Sequence, residues 1–168
     1  MGELLTFTRA LGPNPGRKAM LRGTPATVWY DRGCALEAAD PSSEAAIAAY
    51  GRALAGRPDL PDAHNNLGRI LHERGELPAA ESHYRLALCL DRTVGLYWFN
   101  LGVAVEDQGR VAEAIAAYEH ALSLDPGLAD AHFNLARIYE VIGRGSNNEL
   151  VLRRAVRHLV RYRELAVG

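Results

Sequence analysis

Apolar and polar residues follow a helical rhythm along this chain, and the rhythm itself recurs. In residues 95–128 one amphipathic stretch runs from about Leu96 to Asp107 and stops at Gly109. A second runs from about Val111 to Leu124 and stops at Asp125-Pro126-Gly127. Glycine suits the left-handed residue that closes a helix, and Asp-Pro-Gly is a turn signal, so the stretch predicts two helices joined by a tight connection. The pair returns every 34 residues: Tyr50, Tyr84 and Tyr118 keep the spacing, as do Ala53, Ala87 and Ala121, then Leu54, Leu88 and Leu122. Asn66, Asn100 and Asn134 obey it too, each followed by a leucine, and so do Gly75, Gly109 and Gly143. The units are 27–60, 61–94, 95–128 and 129–166; the last needs about seven extra residues near 144–150 to bring Ala155 and Leu159 into register. An isolated hairpin cannot hide its apolar stripe, so the hairpins must stack. The expectation is an all-α solenoid of about four helix-turn-helix repeats in residues 27–168, preceded by an arm of residues 1–26.

The recurring asparagines pose a question, because asparagine is a mediocre helix former. At about 100° per residue, positions 7, 8 and 11 of each unit lie within about 60° of position 4 and form the core stripe. Position 6, which holds the asparagines, falls at about 200°, flanked by positions 2, 9 and 13. The wheel therefore predicts that they point away from the packing. The same stripe carries Val28, Arg32, Ala35 and Ala39, then Asp62, Asn66, Arg69 and Glu73. It continues with Leu96, Asn100, Val103 and Asp107, then Asp130, Asn134, Arg137 and Val141, while position 5 at its side supplies Asn65, Phe99 and Phe133.

These units resemble the tetratricopeptide repeat family. Its pattern is answered in the third unit by Trp98, Leu101, Gly102, Val105, Ala114, Tyr118, Ala121 and Pro126, and in the second by His64, Leu67, Gly68, Leu71, Ala80, Tyr84 and Ala87. The first unit is looser, with Tyr30, Gly33, Cys34, Glu37, Ala46, Tyr50, Ala53 and Pro58, and the fourth opens with His132, Leu135, Ala136 and Tyr139. The resemblance implies a right-handed superhelix whose first helices line a concave groove. It also implies a non-catalytic module or scaffold that binds a peptide or protein segment there. The groove residues would be Arg32, Asn65, Asn66, Arg69, Glu73, Phe99, Asn100, Val103, Asp107, Phe133, Asn134 and Arg137. A carboxamide offers a donor and an acceptor, the complement of a peptide bond, and some family members grip an extended chain with such an asparagine ladder. Others clamp a terminal carboxylate with lysines; no lysine lies on this stripe, so arginine would have to substitute.

A narrower likeness joins "WYDRGCALEAADPSSEAAIAAYGRAL" and "FNLGVAVEDQGRVAEAIAAYEHALSLDPG" to the C-terminal repeat half of bacterial MerR-like regulators. Those place a DNA-binding domain ahead of the repeats, and 26 residues are too few to hold one. The alternative is thus an oligomerising or regulatory half without its DNA-binding domain.

Composition adds limits. The chain is 48% hydrophobic and 23% charged, with a mean hydropathy of −0.13. No apolar run approaches the ~20 residues that span a bilayer, and the N-terminus lacks an apolar signal core. Cys34 and Cys89 form no zinc or redox motif and read as packing residues; a reducing cytoplasm is the simplest setting. Residues 1–26 carry four basic and one acidic side chain, 27–148 ten basic and seventeen acidic, and 149–168 five basic and two acidic. A nucleic-acid protein more often has a basic body, so nucleic acid is not the expected partner. The last helix, about Asn148–Ala166, carries Arg153, Arg154, Arg157 and Arg161, which read either as the polar face of a terminal cap or as a second docking surface. Six histidines form no pair at i, i+4 and no HExxH, so no metal, cofactor or catalytic residue is expected. Leu4, Leu5, Phe7 and Leu11 suit one short amphipathic helix in the arm, which leaves self-association open.

Overall fold

The structure is a computed structural model that describes residues 25–167. The short helix expected in the arm lies outside the described residues. Eight helices follow, among the described residues: α1 (Ala26–Ala39), α2 (Glu44–Gly56), α3 (Pro61–Glu73), α4 (Leu77–Leu90), α5 (Gly95–Asp107), α6 (Val111–Leu124), α7 (Ala129–Gly145) and α8 (Glu149–Val167). They pair as four hairpins, and each second helix also packs on the first helix of the next hairpin.

Local chemistry sets the ends. Ser43 caps α2 through its hydroxyl, which accepts from the Ala46 N–H at 3.4 Å. Pro61 opens α3, where the missing N–H costs nothing. Gly75 and Gly109 hold φ of 76° and 78°, and the residue after each donates back to the helix, Glu76 to Leu71 at 2.9 Å and Arg110 to Val105 at 3.0 Å.

Inside each hairpin a glycine meets a tyrosine ring. A Cβ on Gly68 would lie 2.8 Å from Tyr84, and one on Gly102 would lie 2.6 Å from Tyr118. Only a bare backbone lets the rings lie so close. In the first hairpin the glycine that meets Tyr50 is Gly33, where a Cβ would approach within 2.5 Å. Gly33 therefore occupies position 8, and the first helix of unit one sits one residue earlier than the 34-residue spacing suggests. Buried Trp29, not Tyr30, takes position 4. Leu36 takes position 11, Cys34 moves to position 9, and Arg32 moves off position 6.

The fourth hairpin absorbs its extra residues in its helices. α7 has 17 residues against 13 in α5. Gly143 lies inside it, packed on Leu152, and Asn147 (φ 48°) makes the left-handed turn instead. α8 likewise begins three residues further ahead of its core alanine, Ala155, than α6 begins ahead of Ala114.

Candidate functional site

The first helices α1, α3, α5 and α7 stand side by side and form the inner wall. The wheel placed one flank of them correctly and the other wrongly. Each is covered by its own second helix and also by the preceding hairpin, so positions 3 and 10 are buried: Ala63 and Ile70, Tyr97 and Ala104, Ala131 and Ile138. Position 6 lies beside that second contact. The asparagines are consequently half-buried and bonded rather than turned away from the packing.

Asn66 donates from Nδ2 to the Tyr50 hydroxyl at 3.2 Å, and that hydroxyl donates to Glu37 Oε2 at 2.7 Å. Arg69 closes the circuit onto Glu37 Oε1, with Nη2 at 2.7 Å. The whole arrangement recurs two repeats later. Asn134 donates to the Tyr118 hydroxyl at 3.2 Å, Tyr118 donates to Glu106 at 2.8 Å, and Arg137 pairs with Glu106. Each circuit joins positions 12 and 24 of one repeat to positions 6 and 9 of the next. Burial, followed by hydrogen bonding to Cys34 and Glu37 at Tyr50 and to Glu106 at Tyr118, pushes both tyrosine hydroxyls far above their ordinary range, so they remain donors.

The middle boundary is built differently. Position 12 of repeat two is His72 and position 9 of repeat three is Val103. Asn100 turns to Asn65 Oδ1 at 2.8 Å, Asn65 donates to Asn66 at 3.3 Å, and His72 pairs with Asp107 at 2.8 Å. Tyr97 donates to Asp62. Among the described residues no side chain bonds the Tyr84 hydroxyl. The wall thus runs from one neutralised Arg–Glu pair, through an apolar centre at Phe99 and Val103, to another such pair.

Several residues read as groove lining sit elsewhere. Asn65 is 4% exposed and belongs to the asparagine chain. Arg32 stacks over the Trp29 ring, 5.5 Å from its centroid, beside Arg52. Phe99 is half-buried against Tyr118. Arg69, Glu73, Val103, Asp107, Phe133 and Arg137 do reach the surface of the wall. Cys34, Glu37, Ala38, Asn66, Arg69 and Glu73 line a cleft of about 520 Å³ between α1 and α3. Cys89, read as packing, is exposed.

Of the arginines on α8, Arg153 pairs with Glu149, Arg161 with Glu164, and Arg154 with Glu119 while lying 4.6 Å over the Tyr139 ring. Arg157 makes no ion pair among the described residues.

Sequence spacing missed two histidine pairs. His64 and His83 face each other at 3.0 Å between Nδ1 atoms, and His132 and His158 at 2.9 Å. Each pair spans the two helices of one hairpin, joining position 4 to the place on the second helix above it, so no i, i+4 search finds it. His64 Nε2 and His132 Nε2 lie 3.3 Å from the carbonyls of Pro58 and Pro126. A carbonyl only accepts, so these Nε2 atoms carry the hydrogen and, in the neutral ring, Nδ1 accepts from the partner histidine. Burial lowers the pKa of all four rings. No cluster of three or more metal-ligating side chains occurs among the described residues, and no described helix is long and apolar enough to cross a membrane.

Comparison with known proteins agrees with this geometry. A tetratricopeptide repeat model matches residues 30–93, and a TPR repeat model matches residues 107–143. No curated protein matches the chain. A crystal structure of MamA superposes with a TM-score of 0.75 at 22% identity, covering 89% of this chain and 84% of that one. The first TPR of Spaghetti (RPAP3) bound to the HSP90 peptide SRMEEVD gives a TM-score of 0.67 at 24% identity, covering 70% of this chain and 93% of that one. With its period, its glycine–tyrosine contacts and its stacked hairpins, the chain belongs to the tetratricopeptide repeat family.

Proposed function

We propose that this protein is a non-catalytic interaction module that holds a peptide or protein segment against its inner wall. The observation that carries the reading is the centre of that wall. Val103 and the edge of Phe99 interrupt the alternation of paired charges, and the hydroxyl of Tyr84 is left over as a donor. An apolar side chain seated at Val103, with neutralised ion pairs on either side, is the ligand chemistry this favours. Arg69 and Arg137 are engaged by Glu37 and Glu106, which argues against a carboxylate clamp. The HSP90 peptide on the RPAP3 repeat supports a peptide ligand by analogy of fold alone.

Because Asn66 and Asn134 bind tyrosines, replacing them would test the seams as much as the groove. Val103 is the better probe. Selection from a displayed random-peptide library with wild type is expected to enrich sequences with a shared apolar residue. The same selection with Val103→Asp, shown folded by circular dichroism, is expected to lose them. Equal enrichment by both proteins would remove the wall as the binding surface.

The second reading, an oligomerising or regulatory half akin to the repeat portion of MerR-like regulators, draws support from one observation: the last hairpin ends in an open apolar cleft.

A further inference from the structure

In the inner hairpins the second-helix tyrosine is covered by the next first helix, and Tyr50, Tyr84 and Tyr118 are 0%, 2% and 0% exposed. Leu159 holds the corresponding place on α8 and is 45% exposed. With Phe133, Ala136, Ala155 and Val156 it lines a cleft of about 470 Å³ between α7 and α8, which Arg137 and the Arg144–Glu140 pair also line. Exposed apolar surface gathered in one concave place marks a docking site rather than ordinary scatter.

The array itself records what fits such a cleft. The helices that fill the inner ones bury positions 3 and 10 and set position 6 beside them. In α1 those positions are Val28, which is 50% exposed, Ala35 and Asp31, all three facing outward. Among the described residues, the last hairpin carries an uncovered cleft, and the first carries the helix face that such a cleft receives. Their charges are complementary. Residues 26–60 hold five acidic and three basic side chains, and α8 holds five basic and two acidic.

We propose that the two ends meet between copies: α1 of one molecule seats in the α7–α8 cleft of the next and continues the solenoid head to tail. Val28 and Ala35 then cover Leu159 and Val156, and Asp31, at position 6, lies over Leu159 beside the Arg144–Glu140 pair. The contact is heterologous, since different patches meet, so it propagates into a chain of copies unless the rotation closes a ring. The interface shares Phe133 and Arg137 with the end of the inner wall but not its centre at Val103, so its failure leaves the peptide-binding reading untouched.

Sedimentation velocity on the full chain over a wide concentration series tests this. Wild type is expected to grow beyond monomer as concentration rises. A cleft variant, Val156→Arg with Leu159→Arg, and a front variant, Val28→Arg with Asp31→Arg, are each expected to stay monomeric. All four positions are exposed, so both variants keep the helical circular dichroism of wild type. Mixed in equal amounts they are expected to form a one-to-one dimer and nothing larger, because each retains one intact end. A wild type that stays monomeric throughout overturns the proposal. So does a front variant that associates like wild type, because α8 faces would then be pairing with each other.

Discussion

Asn66 reaches back across a repeat boundary to bond the hydroxyl of Tyr50 at 3.2 Å. Asn134 does the same to Tyr118, while Asn100, at the boundary between them, bonds Asn65 instead. One residue type at one repeat position therefore does two jobs, decided by whether a Glu–Arg pair stands beside it.

That difference predicts unequal effects of removing tyrosine hydroxyls. Tyr50→Phe and Tyr118→Phe each leave a carboxylate and an amide short of a partner, and are expected to cost about 1–2 kcal/mol. Tyr84→Phe removes a hydroxyl with no side-chain partner and is expected to cost less than about 0.5 kcal/mol. Urea unfolding midpoints of the three variants decide it, and equal losses would mean that the circuits contribute nothing.

The middle boundary is open to conversion. His72→Glu with Val103→Arg places at positions 12 and 9 the residues that the outer boundaries carry there. The pair is expected to show a favourable coupling of about 1 kcal/mol in a double-mutant cycle, with each single change neutral or destabilising. Additive effects would show that the circuit depends on more than these positions.

Glycine substitutions separate close packing from helix propensity. Gly102→Ala drives a methyl into the Tyr118 ring and is expected to cost about 1–3 kcal/mol. Gly51, inside α2, has open space around it, and Gly51→Ala is expected to stabilise by roughly 0.5–1 kcal/mol. Melting temperatures should move in opposite directions.

The histidine pairs make stability depend on pH. Burial depresses the pKa of His64, His83, His132 and His158 below the ordinary value near 6.5. The unfolded chain then takes up protons first, so their contribution is intact above about pH 6.5 and is lost as pH falls through the lower folded values. Wild type is expected to lose stability between pH 7 and pH 5, as read by denaturant midpoints, and His83→Gln with His158→Gln is expected to flatten that slope. An unchanged slope would place the acid sensitivity elsewhere.

The sequence made the hairpins and their period readable because glycine, alanine and tyrosine at positions 8, 20 and 24 are dictated by contacts within one hairpin. The inner wall was only partly readable. Its circuits join residues 12 or more apart, such as Tyr118 with Glu106 and Glu37 with Arg69, and a single-helix wheel sees only the flank that faces its own partner. The register of the first repeat was recoverable, since Trp29, Gly33 and Leu36 repeat the spacing of Trp98, Gly102 and Val105. A strict period of 34 hid it, because the connection between α1 and α2 is one residue longer. The two histidine pairs needed the fold, which alone sets position 4 beneath the second helix.

The extra residues of the last hairpin enter as four in α7 and three in α8. At about 100° per residue, four residues advance a helix by some 40° past a full turn and three fall some 60° short of one. Neither addition carries the apolar stripe to the opposite side. Two or five residues would have turned the stripe by well over 100° and taken Ala155 and Leu152 away from α7. Growth by near-whole turns is thus the form of insertion this architecture tolerates. It lengthens a hairpin like a pier built outward while turning its apolar stripe by no more than about 60°.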